Sequence, residues 1–132
     1  MEIWDTIIIG AGAAGLSAAQ YAARANLKVL VLEEMSHGGQ ALLIDRLENY
    51  PGLLEPVDGY TWAEAMKIQA ENFGAVIKSA SVEKVIKEGD RFIVTTTDGE
   101  LAGKTVIVAT GAKKRHIGVP GEDTFQGRGV SY

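Results

Sequence analysis

The chain has 132 residues, 46% apolar and 23% charged, with a net charge of −4, which fits one globular domain with its own core and argues against a nucleic-acid-binding surface. No apolar run reaches the length of a membrane span, and the Met1-Glu2 start lacks the basic region of a secretory signal. The absence of cysteine excludes disulfides, thiolate metal sites and dithiol redox chemistry within these residues.

The first apolar run, residues 3–9, leads straight into Gly10-Ala11-Gly12-Ala13-Ala14-Gly15. A helix is expected over residues 13–25. Its small residues Ala14, Ala18, Ala19, Ala22 and Ala23 suit close packing on a sheet, while Ser17, Gln20 and Arg24 share a water-facing side. A second apolar run, Val29-Leu30-Val31-Leu32, ends on Glu33. Strand, glycine turn, helix, strand and terminal acid together make the dinucleotide-binding fingerprint in its proper context. Gly10 allows the tight turn, Gly12 lets a pyrophosphate approach the backbone, and Gly15 lets the helix pack against the sheet. The helix N-terminus then faces the phosphates with unpaired N–H groups. Glu33, 18 residues beyond Gly15, is placed to accept from both hydroxyls of an adenosine ribose and to repel a 2′-phosphate, favouring FAD or NAD over NADP.

Residues 35–58 read as a long irregular segment containing Gly38-Gly39-Gln40 and Glu48-Asn49-Tyr50-Pro51-Gly52, and irregular stretches of that length are often functional. Gly39 and its neighbours could offer backbone N–H groups to a cofactor, and the Gln40 amide can donate and accept; an exposed turn is the equal alternative. Asn49 reads either as a turn residue or as an amide beside a flavin edge. His37 and His116 read as solvated surface residues rather than a metal pair. A second helix is expected near Thr61, with Thr61 and Glu64 as a capping box, Gly74 as the stop, and Ala63, Met66, Ala70 and Phe73 as its apolar stripe.

Residues 75–77, 81–87, 91–97 and 100–102 then form short strand-like runs separated by Glu88-Gly89-Asp90 and Asp98-Gly99, the pattern of an antiparallel meander. Residues 104–109 suit a buried parallel strand returning to the main sheet. It ends in Ala109-Thr110-Gly111, small residues that leave room for a ligand at a strand's carboxyl end. Beyond Ala112 the chain turns polar and glycine-rich, as a linker would, and the basic residues Lys113 to Arg115 read as its solvated face. The expected fold is α/β, a Rossmann-like FAD/NAD(P)-binding three-layer arrangement with an antiparallel β-meander. Residues 1–112 form the domain portion and 113–132 lead out of it.

Taken together, these segments resemble the bacterial-type thioredoxin reductases. The matching pieces run collinearly over nearly the whole chain. They are the Gly10 to Ala25 turn and helix, Gly38-Gly39-Gln40, Glu48-Asn49-Tyr50-Pro51-Gly52, Ala109-Thr110-Gly111-Ala112, Gly118-Val119-Pro120-Gly121-Glu122 and Gly127-Arg128-Gly129-Val130-Ser131-Tyr132. The resemblance implies that Gly10, Gly12, Ala13, Ala14, Gly15 and Glu33 hold the ADP half of FAD. It places Gly39 and Gln40 along the pyrophosphate and flavin-linked chain, and Asn49 by the isoalloxazine. Val82 would offer backbone groups to the adenine, and Ala109, Thr110 and Gly111 would close over the cofactor. Family members pass electrons from NADPH through FAD to a Cys-x-x-Cys pair and on to thioredoxin. They imply a cytoplasmic dimer with no nucleic acid or membrane partner. This chain stops at Tyr132, short of the family's cysteine pair, NADPH domain and returning half of the FAD domain, and its loop between Glu33 and Gly38 is shortened. The expectation is therefore the N-terminal part of an FAD domain, inactive alone. The alternatives are the corresponding part of a cysteine-less ferredoxin–NADP reductase, or a non-catalytic adenine-dinucleotide-binding module.

Overall fold

A computed structural model describes residues 1–132. In chain order it contains β1 (Ile3–Ile9), α1 (Ala13–Arg24), β2 (Val29–Glu33), a 3-10 turn (Gly39–Leu43), α2 (Gly59–Asn72), β3 (Val76–Ser79), β4 (Val82–Glu88), β5 (Arg91–Thr96) and β6 (Gly99–Val108). The six strands form one sheet in the order β3-β2-β1-β6-β5-β4. Strands β3, β2, β1 and β6 run parallel, whereas β4, β5 and β6 are antiparallel neighbours.

Strand alternation divides the core between two faces. Ile8, Val29 and Val31 meet Leu16, Ala19 and Ala23 of α1 and Ala70 of α2 in one cluster. Ile7, Leu30 and Leu32 join Trp4 and Val94 of β5 in the second, so the meander supplies the apolar cover opposite the helices. Each of the fully buried Ile and Leu side chains contributes about 1.5–3 kcal/mol by leaving water. Ala19 and Ala23, with Ala18 and Ala22 packed beside them, let α1 sit close to the sheet as expected, whereas Ala14 is exposed at the helix start.

Several expectations are corrected. Helix α2 begins at Gly59, and its N-cap is Asp58, which accepts from the Thr61 N–H and hydroxyl at 2.8 and 2.7 Å. Thr61 is thus the recipient of a cap, and no Thr61–Glu64 capping box forms. Gly74 does stop the helix, but Phe73 leaves the apolar stripe and is 46% exposed. The strand after α2 is not part of the meander, because it pairs in parallel with β2 at the sheet edge. The runs expected at 100–102 and 104–109 are one strand, β6. Gly103 is not a break there: it is buried where β6 exchanges β5 for β1, and a Cβ would lie 3.0 Å from Ile7. The second half of β6 is also less buried than expected, with Ile107 39% and Val108 70% exposed. The irregular segment contains the 3-10 turn, a Leu47–Val57 bridge and a bridge from Gly38 to Gly12.

Residues 113–132 contain no helix or paired strand of length, yet they carry a hub. Glu122 is only 5% exposed. It accepts from the Ile117 and Gly118 N–H groups at 2.9 and 2.8 Å and from the Tyr132 hydroxyl. The stretch expected as a plain solvated linker is therefore organised around one carboxylate.

Candidate functional site

The carboxyl ends of β1, β2 and β6 converge on the glycine turn. Gly10 has φ +103, a left-handed conformation that glycine adopts without steric cost, whereas a Cβ there would fall 2.3 Å from the Ala109 carbonyl oxygen. Its own N–H donates to Leu32 O at 2.8 Å, and Ala109 N–H donates to Ile9 O at 2.8 Å. Gly15 enters α1 so close to the turn that a Cβ would lie 1.8 Å from Gly10 O.

Gly12 is the N-cap of α1, with no side chain capping the helix and no acid in its first turn. The exposed Ala13 and Ala14 open the helix. The result is a positive helix end whose first turn carries no acid and only methyl side chains, which suits an anion. A second glycine segment faces it. Gly38 N–H donates to Ala11 O at 2.7 Å, Gly12 and Gly38 form a parallel bridge, and a Cβ on Gly39 would lie 3.4 Å from Gly12 Cα. A Cβ on Gly12 meets nothing nearer than Gly39 Cα at 4.0 Å, so the space above Gly12 is open.

Glu33 closes the turn from the other side. Its Oε2 accepts from Ala11 N–H at 2.8 Å and its Oε1 from Met35 N–H at 3.0 Å. The acid expected only to meet a ribose thus also braces the glycine turn. A carboxylate has about four lone-pair sites, so two remain for outside donors. Beside it lies a recess of about 200 Å³ lined by Glu33, Met35, Ser36, His37, Lys78 and Ser79, among others.

On the opposite side, Gln40 Nε2 donates to Ala112 O at 3.2 Å, tying the 3-10 turn to the end of β6. A groove of about 1180 Å³ opens there, with Gln40, Leu43, Ala112, Lys114, Ser131 and Tyr132 among its lining. Lys114 Nζ stands 4.6 Å above the Tyr132 ring. The Tyr132 bond holds the Glu122 carboxyl down to about 2, helped by the Ile117 and Gly118 amides, and the same bond pushes the Tyr132 phenol up to about 12. Thr110 and Gly111 are exposed at the tip of β6. The structure brings Gly10, Gly12, Ala13, Ala14, Gly15, Glu33, Gly39 and Ala109 to one turn, with Gln40 next to the groove. Asn49 is exposed and lines neither cavity, and Val82 packs its side chain against the second core cluster at the start of β4.

Two functional candidates escaped the sequence reading. His37 is not simply solvated, because its Nε2 lies 2.6 Å from Glu64 Oε2 across to α2. Glu122 is the other. Neither has a local signal, since their partners are a residue 27 positions away and backbone N–H groups. No group of three or more side chains is arranged to hold a metal ion. No helix is long and apolar enough to cross a membrane.

The profile of the pyridine nucleotide-disulphide oxidoreductase family matches residues 4–132. The thioredoxin reductase of Treponema pallidum is 57% identical over 129 residues, covering 98% of this chain and 42% of that protein. That of Aquifex aeolicus is 45% identical over 132 residues, covering 99% of this chain and 41% of its own length. Among solved structures, the thioredoxin reductase of Streptococcus pyogenes superposes with a TM-score of 0.86 at 45% identity, covering 98% of this chain and 42% of that one. The chain thus spans about two-fifths of the length of the relatives it matches. With nearly all of its residues inside the family profile and its sheet superposing on solved relatives, the chain belongs to the pyridine nucleotide-disulphide oxidoreductase family.

Proposed function

We propose that this chain is the FAD-binding N-terminal portion of a thioredoxin-reductase-like flavoprotein, with residues 1–112 as the FAD part and 113–132 as the start of the passage to a nicotinamide-binding domain. The observation that carries the reading is the open space above Gly12, bordered by the α1 N-terminus and by Gly39, with Glu33 braced beside it. It is a cradle of backbone N–H groups that a side chain would fill. Bound FAD would supply two-electron chemistry between NADPH and a disulfide. The chain's own residues bind and orient: Gly12, Ala13 and Gly39 take the pyrophosphate, Glu33 accepts from the ribose, and Gln40 with Ala109, Thr110 and Gly111 borders the flavin side. Asn49 and the Val82 backbone belong to the same proposal. Thioredoxin as the final acceptor is supported by the relatives' names, and a dimeric assembly and a cytoplasmic setting are part of the same proposal.

Glu33 sets the nucleotide preference. A 2′-phosphate beside an ionised carboxylate is repelled, and at a few ångströms that repulsion is worth on the order of 1 kcal/mol or more near a protein surface. Calorimetric titration is expected to show AMP, which differs only in lacking the 2′-phosphate, binding at least about tenfold more tightly than adenosine 2′,5′-bisphosphate. Glu33→Gln should narrow that gap. Equal binding of the two nucleotides by the unaltered chain would remove Glu33 from the ribose.

A further inference from the structure

The phosphate turn is held from a second direction, by α2. Gly38 lies against this helix so closely that a Cβ would be 2.9 Å from Ala63 Cβ. One residue earlier, His37 Nε2 meets Glu64 Oε2 at 2.6 Å, with the two side chains only 19% and 32% exposed. Glu64 is free to reach His37 because Asp58 performs the capping of α2. Around the pair stand Lys67, with Nζ 3.8 Å from Glu64 Oε1, and the Tyr60 ring, 6.2 Å from the imidazole. One residue beyond His37, Gly38 N–H donates to Ala11 O, and Gly39 faces Gly12. The chain 37–39 therefore runs from a fixed polar contact on α2 directly to the edge of the anion cradle.

We propose that His37 and Glu64 are positioning residues for the phosphate turn: their hydrogen bond pins residues 37–39 to α2 and so sets the gap between Gly39 and Gly12. The inference rests on the nucleotide-binding reading of that turn. A hydrogen bond with fixed direction holds Gly39 in register where apolar packing would let it slide. Spreading of the 37–39 segment by a fraction of an ångström would misalign N–H groups that must converge on the same phosphate oxygens.

The test compares His37→Ala, His37→Gln and Glu64→Ala in the full chain, titrated with ADP and, by NMR, with adenosine. His37→Ala and Glu64→Ala should weaken ADP by on the order of tenfold, one charge-assisted hydrogen bond's worth, and leave adenosine unchanged. His37→Gln keeps a donor for Glu64 and should recover most of the ADP affinity. A purely structural pair would lower the melting temperature and affect both ligands alike, and that result, or unchanged ADP binding in His37→Ala, would overturn the proposal. Should the unaltered chain bind neither ligand, the nucleotide reading itself fails, and amide exchange decides the pinning. Exchange at Gly38 and Gly39 should accelerate at least about tenfold in His37→Ala, and unchanged exchange would overturn it.

Discussion

Gly15→Ala is expected to lower the melting temperature by several degrees or more, whereas Gly12→Val should fold normally and lose its nucleotide. The two glycines stand three residues apart in one turn, but their surroundings differ. A methyl group at Gly15 would lie 1.8 Å from Gly10 O. Backbone, not a flexible side chain, must yield, and Gly10 is itself held by Leu32 O and crowded by Ala109 O. Overpacking of this kind commonly costs about 1–3 kcal/mol, and more against rigid backbone, out of a total stability of about 5–15 kcal/mol. Gly12 faces open space, so a side chain there disturbs no protein atom and occupies the volume a phosphate would take. Far-UV circular dichroism with a thermal melt, followed by ADP calorimetry, separates the two outcomes. Gly12→Val should retain the unaltered spectrum and weaken ADP by about a hundredfold or more. Retained ADP affinity in Gly12→Val would move the phosphate elsewhere. A wild-type melt for Gly15→Ala would mean that helix and turn do not approach as closely as described.

The second large effect concerns Tyr132. Its phenol should titrate near 12, and Glu122→Gln should bring it back to about 10, because the ionised carboxylate that holds the proton is gone. The sign follows from the direction of each shift. Glu122 lies below its ordinary value, so its contribution to stability is complete above about pH 4.5 and is lost as pH falls toward about 2. Tyr132 lies above its ordinary value, so the same bond contributes fully below about pH 10 and is lost as pH rises toward about 12. Carbon-13 labelling of tyrosine Cζ, assigned with Tyr132→Phe, reads the titration separately from Tyr21, Tyr50 and Tyr60. A Tyr132 titration near 10 in the unaltered chain would dissolve the hub that organises residues 117–132 on the groove side.

The first third of the fold was legible because each of its signals is local. An apolar run, three spaced glycines, an alanine-rich helix and a second apolar run each specify one element, and the turn between them admits few geometries. Cap and strand boundaries were harder. Asp58 and Thr61 stand three apart, as do Thr61 and Glu64, so spacing alone could not say which pair caps the helix. Gly103 and Lys104 look like an interruption, yet β6 passes through them because a residue without a side chain fits against Ile7 where the strand changes neighbours. Within the site, the glycines and Glu33 were readable by position. The bracing role of Glu33 was not, since a bond to the Ala11 amide leaves no mark on the identity of residue 11. His37 and Glu122 were hidden for the same reason: one has a distant partner, and the other mostly backbone partners.

The measurement that tests the central claim most directly is an absorption spectrum of the purified chain after incubation with FAD and removal of the excess, with the released chromophore identified after denaturation. The expected result is a retained flavin spectrum and release of intact FAD. A colourless chain that also shows no heat of binding with ADP would contradict the assignment of the Gly10 to Gly15 turn and Glu33 as a cofactor site.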